Sequence, residues 1–163
     1  MIPRYTRPEM AEIWSEENKF RKWLDIEIAA LEGWSKIGVV PASAVENVKK
    51  KAKIDVAKIQ EIEKVTNHDV IAFVEQVSGT VGEDGRYIHY GLTSSDILDT
   101  SLALLLRESG DILLEDVKVL LATMKESAIK FRDTVMMGRT HGIHAEPVTL
   151  GFRFAGWLSL IHI

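Results

Sequence analysis

Apolar residues recur at helical spacing through most of the chain. Ile13, Phe20, Trp23, Leu24, Ile28, Leu31 and Trp34 form one long amphipathic stripe that stops at Gly38. Just upstream, Thr6-Arg7-Pro8-Glu9 has capping-box spacing with proline in the first turn, which predicts a helix start. Pro41-Ala42-Ser43 with Glu46 predicts a further helix running into the lysines at 49–51, and Asp55 to Lys64 another, with Val56, Ile59 and Ile62 on one side. Thr66-Asn67-His68-Asp69 repeats the box spacing ahead of Val70, Ile71, Phe73, Val74 and Val77. The glycines between Ser78 and Arg86 predict a loop. After Tyr90-Gly91, Thr93-Ser94-Ser95-Asp96 opens a long helix containing Ile97, Leu98, Leu102, Leu104, Leu105 and Leu106. The pattern continues, with an adjustment expected at Gly110, from Ile112 past Met124 towards Phe131. A last apolar segment starts near Val148.

Short helices before Gly91 and long ones after it predict an all-α fold. A small N-terminal helical domain over residues 1–92 is followed by the first long helices of a bundle over 93–163, with the bundle incomplete. The run from Phe154 to Ile163 is almost wholly apolar, with no polar face and no helix-ending signal. Either a partner buries it, or the chain is interrupted or shifted in frame near its end.

Composition narrows the function classes. With 46% hydrophobic and 27% charged residues over 163 positions, the chain is globular rather than disordered. A formal net charge of -4 argues against nucleic acid or an anionic membrane as partner. The basic run Lys49-Lys50-Lys51 with Lys53 reads as a solvated helix face. The absence of cysteine removes disulfides, thiolate metal sites and cysteine nucleophiles. No signal-peptide core or membrane-length apolar window is present, so the expected location is the cytoplasm.

Four clusters could carry chemistry, and each has a plain structural alternative. Arg4 and Tyr5 could grip a phosphate or carboxylate, or be a surface arginine and a packing tyrosine. Asn67, His68 and Asp69 could line an anion pocket at a helix start, where capping would equally account for Thr66 and Asp69. Thr93 and Ser94, preceded by His89, place hydroxyls where a carboxylate ligand or a simple cap would want them. Finally, GRTHGIHAEP carries Thr140, His141 and His144. Gly138 and Gly142 argue against a regular helix there, and no third metal ligand is evident, which disfavours zinc. Between a structural histidine and an acid–base group, spacing does not decide.

Those segments carry a resemblance. RYTRPEM, NHDVIAF, HYGLTSSDILDT and MMGRTHGIHAEP, in this order, resemble the adenylosuccinate lyase family of the fumarase/aspartase superfamily, and the likeness covers almost the whole chain. The resemblance implies a C–N lyase of purine nucleotide biosynthesis. Such enzymes eliminate fumarate from adenylosuccinate, leaving AMP, and from the succinyl-carboxamide ribotide, and need no cofactor or metal. It implies that His141 is the general acid, that Arg4 and Tyr5 help hold the nucleotide, and that His68, with Asn67 and Asp69, lines the substrate pocket. Thr93 and Ser94 would bind a succinyl carboxylate, with His89, Thr140 and His144 as supporting residues. It also implies a homotetramer with composite active sites.

Two departures qualify the resemblance. The family is more than twice this length, and its GSSxMPxKxNP loop, which supplies the serine base, is absent from these residues. The chain therefore resembles the N-terminal portion only, expected to be inactive alone. The carboxymuconate cycloisomerase branch shares a TS-x-D segment but lacks the histidine found here at 141. A non-catalytic helical interaction module is the alternative of a different class.

Overall fold

A computed structural model describes residues 2–162. The described residues form seven α-helices, two short 3-10 helices and one two-stranded sheet, packed as two compact units, 1–109 and 110–163. The helices of the first unit are α1 (Pro8–Ile13), α2 (Glu16–Lys36), α3 (Ala42–Lys51), α4 (Val56–Thr66) and α5 (Asp69–Val81). The long α6 (Ser94–Lys130) runs across the junction. The second unit continues with β1 (Val135–Thr140), β2 (Ile143–Thr149) and α7 (Leu150–His162). Among the described residues no helix is long and apolar enough to cross a membrane.

Local chemistry accounts for the helix ends. Ser15 caps α2 by accepting the Asn18 N–H, and Asp55 caps α4 by accepting that of Lys58. At the far end of α2 the chain turns through Gly38, whose φ is +78°. There the Val39 N–H reaches back to the Trp34 carbonyl and the Gly38 N–H to that of Ser35, the double closure of a Schellman motif. The stop expected at Gly38 is therefore present with its mechanism.

The core of the first unit is dry and aromatic. On α2 the buried stripe is Phe20, Trp23, Glu27 and Leu31. Leu24 and Ile28, counted with the stripe in the sequence, are only half-buried at its flank. Phe20, Trp23 and Phe73 meet at ring separations of 5.1, 5.4 and 5.8 Å. Val45 and Val48 of α3, Ile59 of α4 and Val70 and Val77 of α5 surround them. Two serines of α6 receive indole protons from the first helices: Trp23 Nε1 donates to Ser101 Oγ at 3.1 Å and Trp14 Nε1 to Ser109 Oγ at 3.0 Å. Lys22 and Glu108 form an ion pair beside them. Buried Gln76 ties down the α3–α4 connection, accepting from the Asp55 N–H and donating to the Lys53 carbonyl, each at 3.2 Å.

Several expectations need correction. The glycine-rich stretch from Ser78 is not a loop throughout, since α5 runs on to Val81 and a 3-10 helix, Glu83–Tyr87, follows after Gly82. Packing overrides Gly79's weak helix propensity, because Val77 and Val81 on either side are buried. At Gly110 α6 continues as helix. The Thr6 capping box is not formed: Arg7 occupies the N-cap and its side chain makes no cap hydrogen bond, while Thr6 Oγ1 donates to the Ile2 carbonyl. The Thr66 box fails too, because Thr66 still belongs to α4.

In the second unit, GRTHGIHAEP is an antiparallel hairpin rather than a turn alone. Val135 pairs with Thr149 and Thr140 with Ile143, and the register shifts between Met137 and Arg139. His141 and Gly142 form the two-residue connection with φ of +51° and +74°, both positive as a type I′ hairpin demands. Gly151 at the start of α7 is the sole buried residue among the described residues of this unit. A Cβ there would lie 2.4 Å from the Ala128 carbonyl oxygen, so only glycine allows that approach.

Candidate active site

Between α4 and α5 the chain reverses within two residues. Asn67 ends α4 in the left-handed conformation, φ +50°, a role asparagine tolerates. His68 then caps α5, its Nδ1 accepting the Ile71 N–H at 3.3 Å. As an acceptor, Nδ1 carries no proton, which leaves the ring hydrogen on Nε2. Nε2 lies 3.4 Å from Ser94 Oγ, at the first residue of α6. Asp69 Oδ1 also stands 3.6 Å from His68 Nδ1, but the shorter cap bond fits a neutral ring and is the contact that orients it.

A second histidine lies on the segment that leads into the same helix start. His89, with φ +66°, donates its backbone N–H to Glu27 Oε2 at 2.7 Å, and its Nδ1 lies 2.7 Å from Glu27 Oε1. Two turns further along α2, Trp34 Nε1 donates to the Tyr90 carbonyl at 2.9 Å and the two rings meet edge to face. Glu27 and Trp34, seven residues apart on one face of α2, thus clamp the His89-Tyr90-Gly91 segment that leads into α6. At the helix start Asp96 Oδ2 accepts the Thr93 N–H at 2.8 Å, one half of the expected capping box.

The structure therefore joins the second and third sequence clusters. His68 and Ser94 touch, while the half-buried His89 is fixed just before Thr93 in the chain. Arg4 and Tyr5 pair instead with one another, the guanidinium carbon 4.7 Å from the ring centre, on an exposed 3-10 helix, Pro3–Tyr5. Thr140, His141 and His144 belong to the second unit and are exposed on the hairpin, His144 opposite Arg139. Among the described residues no three histidine, aspartate or glutamate side chains gather as metal ligands would.

All three non-glycine residues with positive φ among those described, Asn67, His89 and His141, lie in the polar clusters singled out from the sequence. Left-handed backbone at such residues gathers where geometry serves a site rather than stability. Sequence reasoning missed Glu27. Its signal was a carboxylate spaced as Phe20-x2-Trp23-x3-Glu27-x3-Leu31-x2-Trp34, on the face that must be buried.

Comparison with known proteins gives consistent results. Residues 4–162 match the sequence model of the family described as Lyase. Adenylosuccinate lyase of Aquifex aeolicus is 53% identical over 160 residues, a match that spans 96% of this chain and 37% of the relative. The enzyme of the same name from Bacillus subtilis is 50% identical over 157 residues, 96% of this chain and 36% of the relative. Among solved structures, a fumarate lyase from Mesorhizobium sp. BNC1 superposes with a TM-score of 0.88 at 28% identity, covering 94% of this chain and 37% of that one. The β-carboxy-cis,cis-muconate cycloisomerase from Acinetobacter calcoaceticus gives 0.87 at 32%, covering 96% and 38%. The chain thus spans little more than a third of the length of these relatives. Matched by the family's model from residue 4 to residue 162, with its histidine and hydroxyl segments joined at one helix start, the chain belongs to the lyase family.

Proposed function

We propose that this chain is the N-terminal part of an adenylosuccinate lyase. In this reading residues 1–92 are the head domain and 93–163 the beginning of the central bundle, which in the whole enzyme forms a homotetramer in the cytoplasm. The reaction is a β-elimination needing no cofactor. A base removes the proton from the succinyl carbon, its electrons form the fumarate double bond, and the C–N bond breaks. The departing nitrogen takes the electron pair and a proton from His141. Ser94 and Thr93 bind a succinyl carboxylate, with His68 Nε2–H as a neighbouring donor. Arg4, Tyr5, Asn67 and Asp69 face the nucleotide, and Thr140 and His144 support His141.

The observation that carries the proposal is the contact of His68 with Ser94, because it brings a neutral imidazole donor, a hydroxyl and the start of a long helix to one point. Identity of about half with adenylosuccinate lyases against 32% with the cycloisomerase favours C–N cleavage over lactonisation. The second reading, a non-catalytic helical interaction module, draws on the exposed Leu113, Leu114, Val119 and Leu120 of α6.

A chimera separates them. This chain replaces the matching 157 residues of the Bacillus subtilis enzyme, and fumarate release from adenylosuccinate is followed. The lyase reading expects turnover by the chimera, none by the chain alone, and loss of roughly 100-fold or more in the chimera with His141→Gln. A folded chimera without turnover would count against it.

A further inference from the structure

We infer that Glu27 is a positioning residue that fixes the tautomer of His89 and turns its Nε2 into the only ring atom available to a ligand. The role in substrate handling rests on the lyase reading above; the tautomer itself does not.

The carboxylate of Glu27 is 1% exposed and sits in the aromatic stripe of α2, where a charge is kept only if it is fully satisfied. Both of its oxygens are used by one residue, His89, through the backbone N–H and Nδ1, each at 2.7 Å. A backbone N–H can only donate, and a carboxylate can only accept. Nδ1 must therefore carry a proton, which in the neutral form of the ring leaves the lone pair on Nε2. No hydrogen-bond partner among the described residues meets Nε2, and the His89 side chain keeps 24% of its surface exposed. The backbone bond also stabilises the left-handed conformation of His89, which aims the ring.

His68 is set the opposite way. Its Nδ1 accepts a backbone proton, so its outward atom is Nε2–H. The two histidines thus present one donor and one acceptor, His68 set by the Ile71 backbone N–H at its Nδ1 and His89 by the Glu27 carboxylate at its Nδ1. A ligand group able to donate fits His89 Nε2, and one able to accept fits the His68–Ser94 pair. A nucleotide with hydroxyl and acidic groups has both.

The test is the ring-nitrogen spectrum of the 15N-histidine-labelled full chain at a pH of about 8.5, above the ordinary imidazole range. His89 is expected to show its proton on Nδ1 and His68 on Nε2. In Glu27→Gln the amide oxygen must still accept the His89 backbone proton, which turns the amide NH2 towards Nδ1. The proton of His89 should then move to Nε2, with the His68 signals and the far-ultraviolet circular dichroism unchanged. In the chimera the same substitution should lower kcat/KM by roughly 10- to 100-fold, the usual cost of losing a group that orients a functional histidine. A wild-type His89 protonated on Nε2, or a folded Glu27→Gln protein whose His89 proton stays on Nδ1, overturns the inference. Should Glu27→Gln fail to fold, the wild-type spectrum decides alone. A chimera that is inactive while His89 holds its proton on Nδ1 refutes the lyase reading and leaves the role of Glu27 in setting the ring intact.

Discussion

Each unit contains a cluster of three aromatic rings, closed by all three pairwise contacts in the first and strung through Phe154 in the second. In the first, Phe20, Trp23 and Phe73 are at most 1% exposed. In the second, Phe131, Phe154 and Trp157 meet at similar separations, 6.1 and 5.5 Å, yet Trp157 remains 40% exposed. The chemistry of the rings is the same. What differs is the number of elements around them: residues of five helices seal the first cluster, whereas α7 and the end of α6 hold the second. Ring contact contributes on the order of 1 kcal/mol, and exclusion of water contributes the larger share. The first unit carries its own core; the second does not.

The strongest way to break this contrast is Phe73→Ala. It should destabilise the chain by about 3–5 kcal/mol in denaturant unfolding, since the cavity opens in a dry core. A loss below about 1 kcal/mol would mean that the first cluster is no better sealed than the second. Gly91→Ala comes next, at roughly 1–3 kcal/mol. Its φ is +73° and a Cβ there would stand 2.7 Å from Cζ2 of Trp34, so both strain and collision oppose it. Ser101→Ala leaves the buried Trp23 indole N–H without its acceptor and should cost about 1–2 kcal/mol, read as a lower unfolding midpoint at unchanged slope. Trp157→Ala should cost less than about 1 kcal/mol. A larger loss would show the second cluster covered in solution, which sharpens the contrast into a question of assembly.

The smallest effect concerns the surface pair Glu32–Lys49, 2.8 Å apart between α2 and α3. The hydrogen bond from Lys49 holds the Glu32 carboxyl below its usual range, and Glu32 in turn raises Lys49. A depressed carboxylate contributes stability that is present above its unfolded value and lost as pH falls through the folded one. The raised lysine's share is present below its unfolded value and lost as pH rises through the folded one. Glu32→Gln should therefore flatten the acid limb of a stability–pH curve slightly, and added salt should do the same to the wild type.

Much of the fold was legible because helices record themselves locally. The 3.6-residue stripe marked α2 through to Gly38, and Asp55 announced α4. Two kinds of feature were not legible. Capping boxes at Thr6 and Thr66 have the right spacing but lost to neighbours, as α4 extended through Thr66 and His68 took over the cap of α5. The hairpin was hidden because none of its strand residues is fully buried, and Val135-Met136-Met137-Gly138-Arg139-Thr140 carries no apolar–polar alternation that would mark a strand. The turn residues His141-Gly142 were its remaining signal.

The site divides in the same way. The identity of the polar segments, and the expectation that His68, Ser94 and His141 matter, follow from residue types and order alone. That His68 touches Ser94, and that Glu27 grips His89 across 62 positions of sequence, was decided only by tertiary packing. Local pattern carries the period of an element and its end signals. A hydrogen bond between distant residues exists only once helices have been brought together, by a hydrophobic core that acts without regard to which polar groups it places side by side.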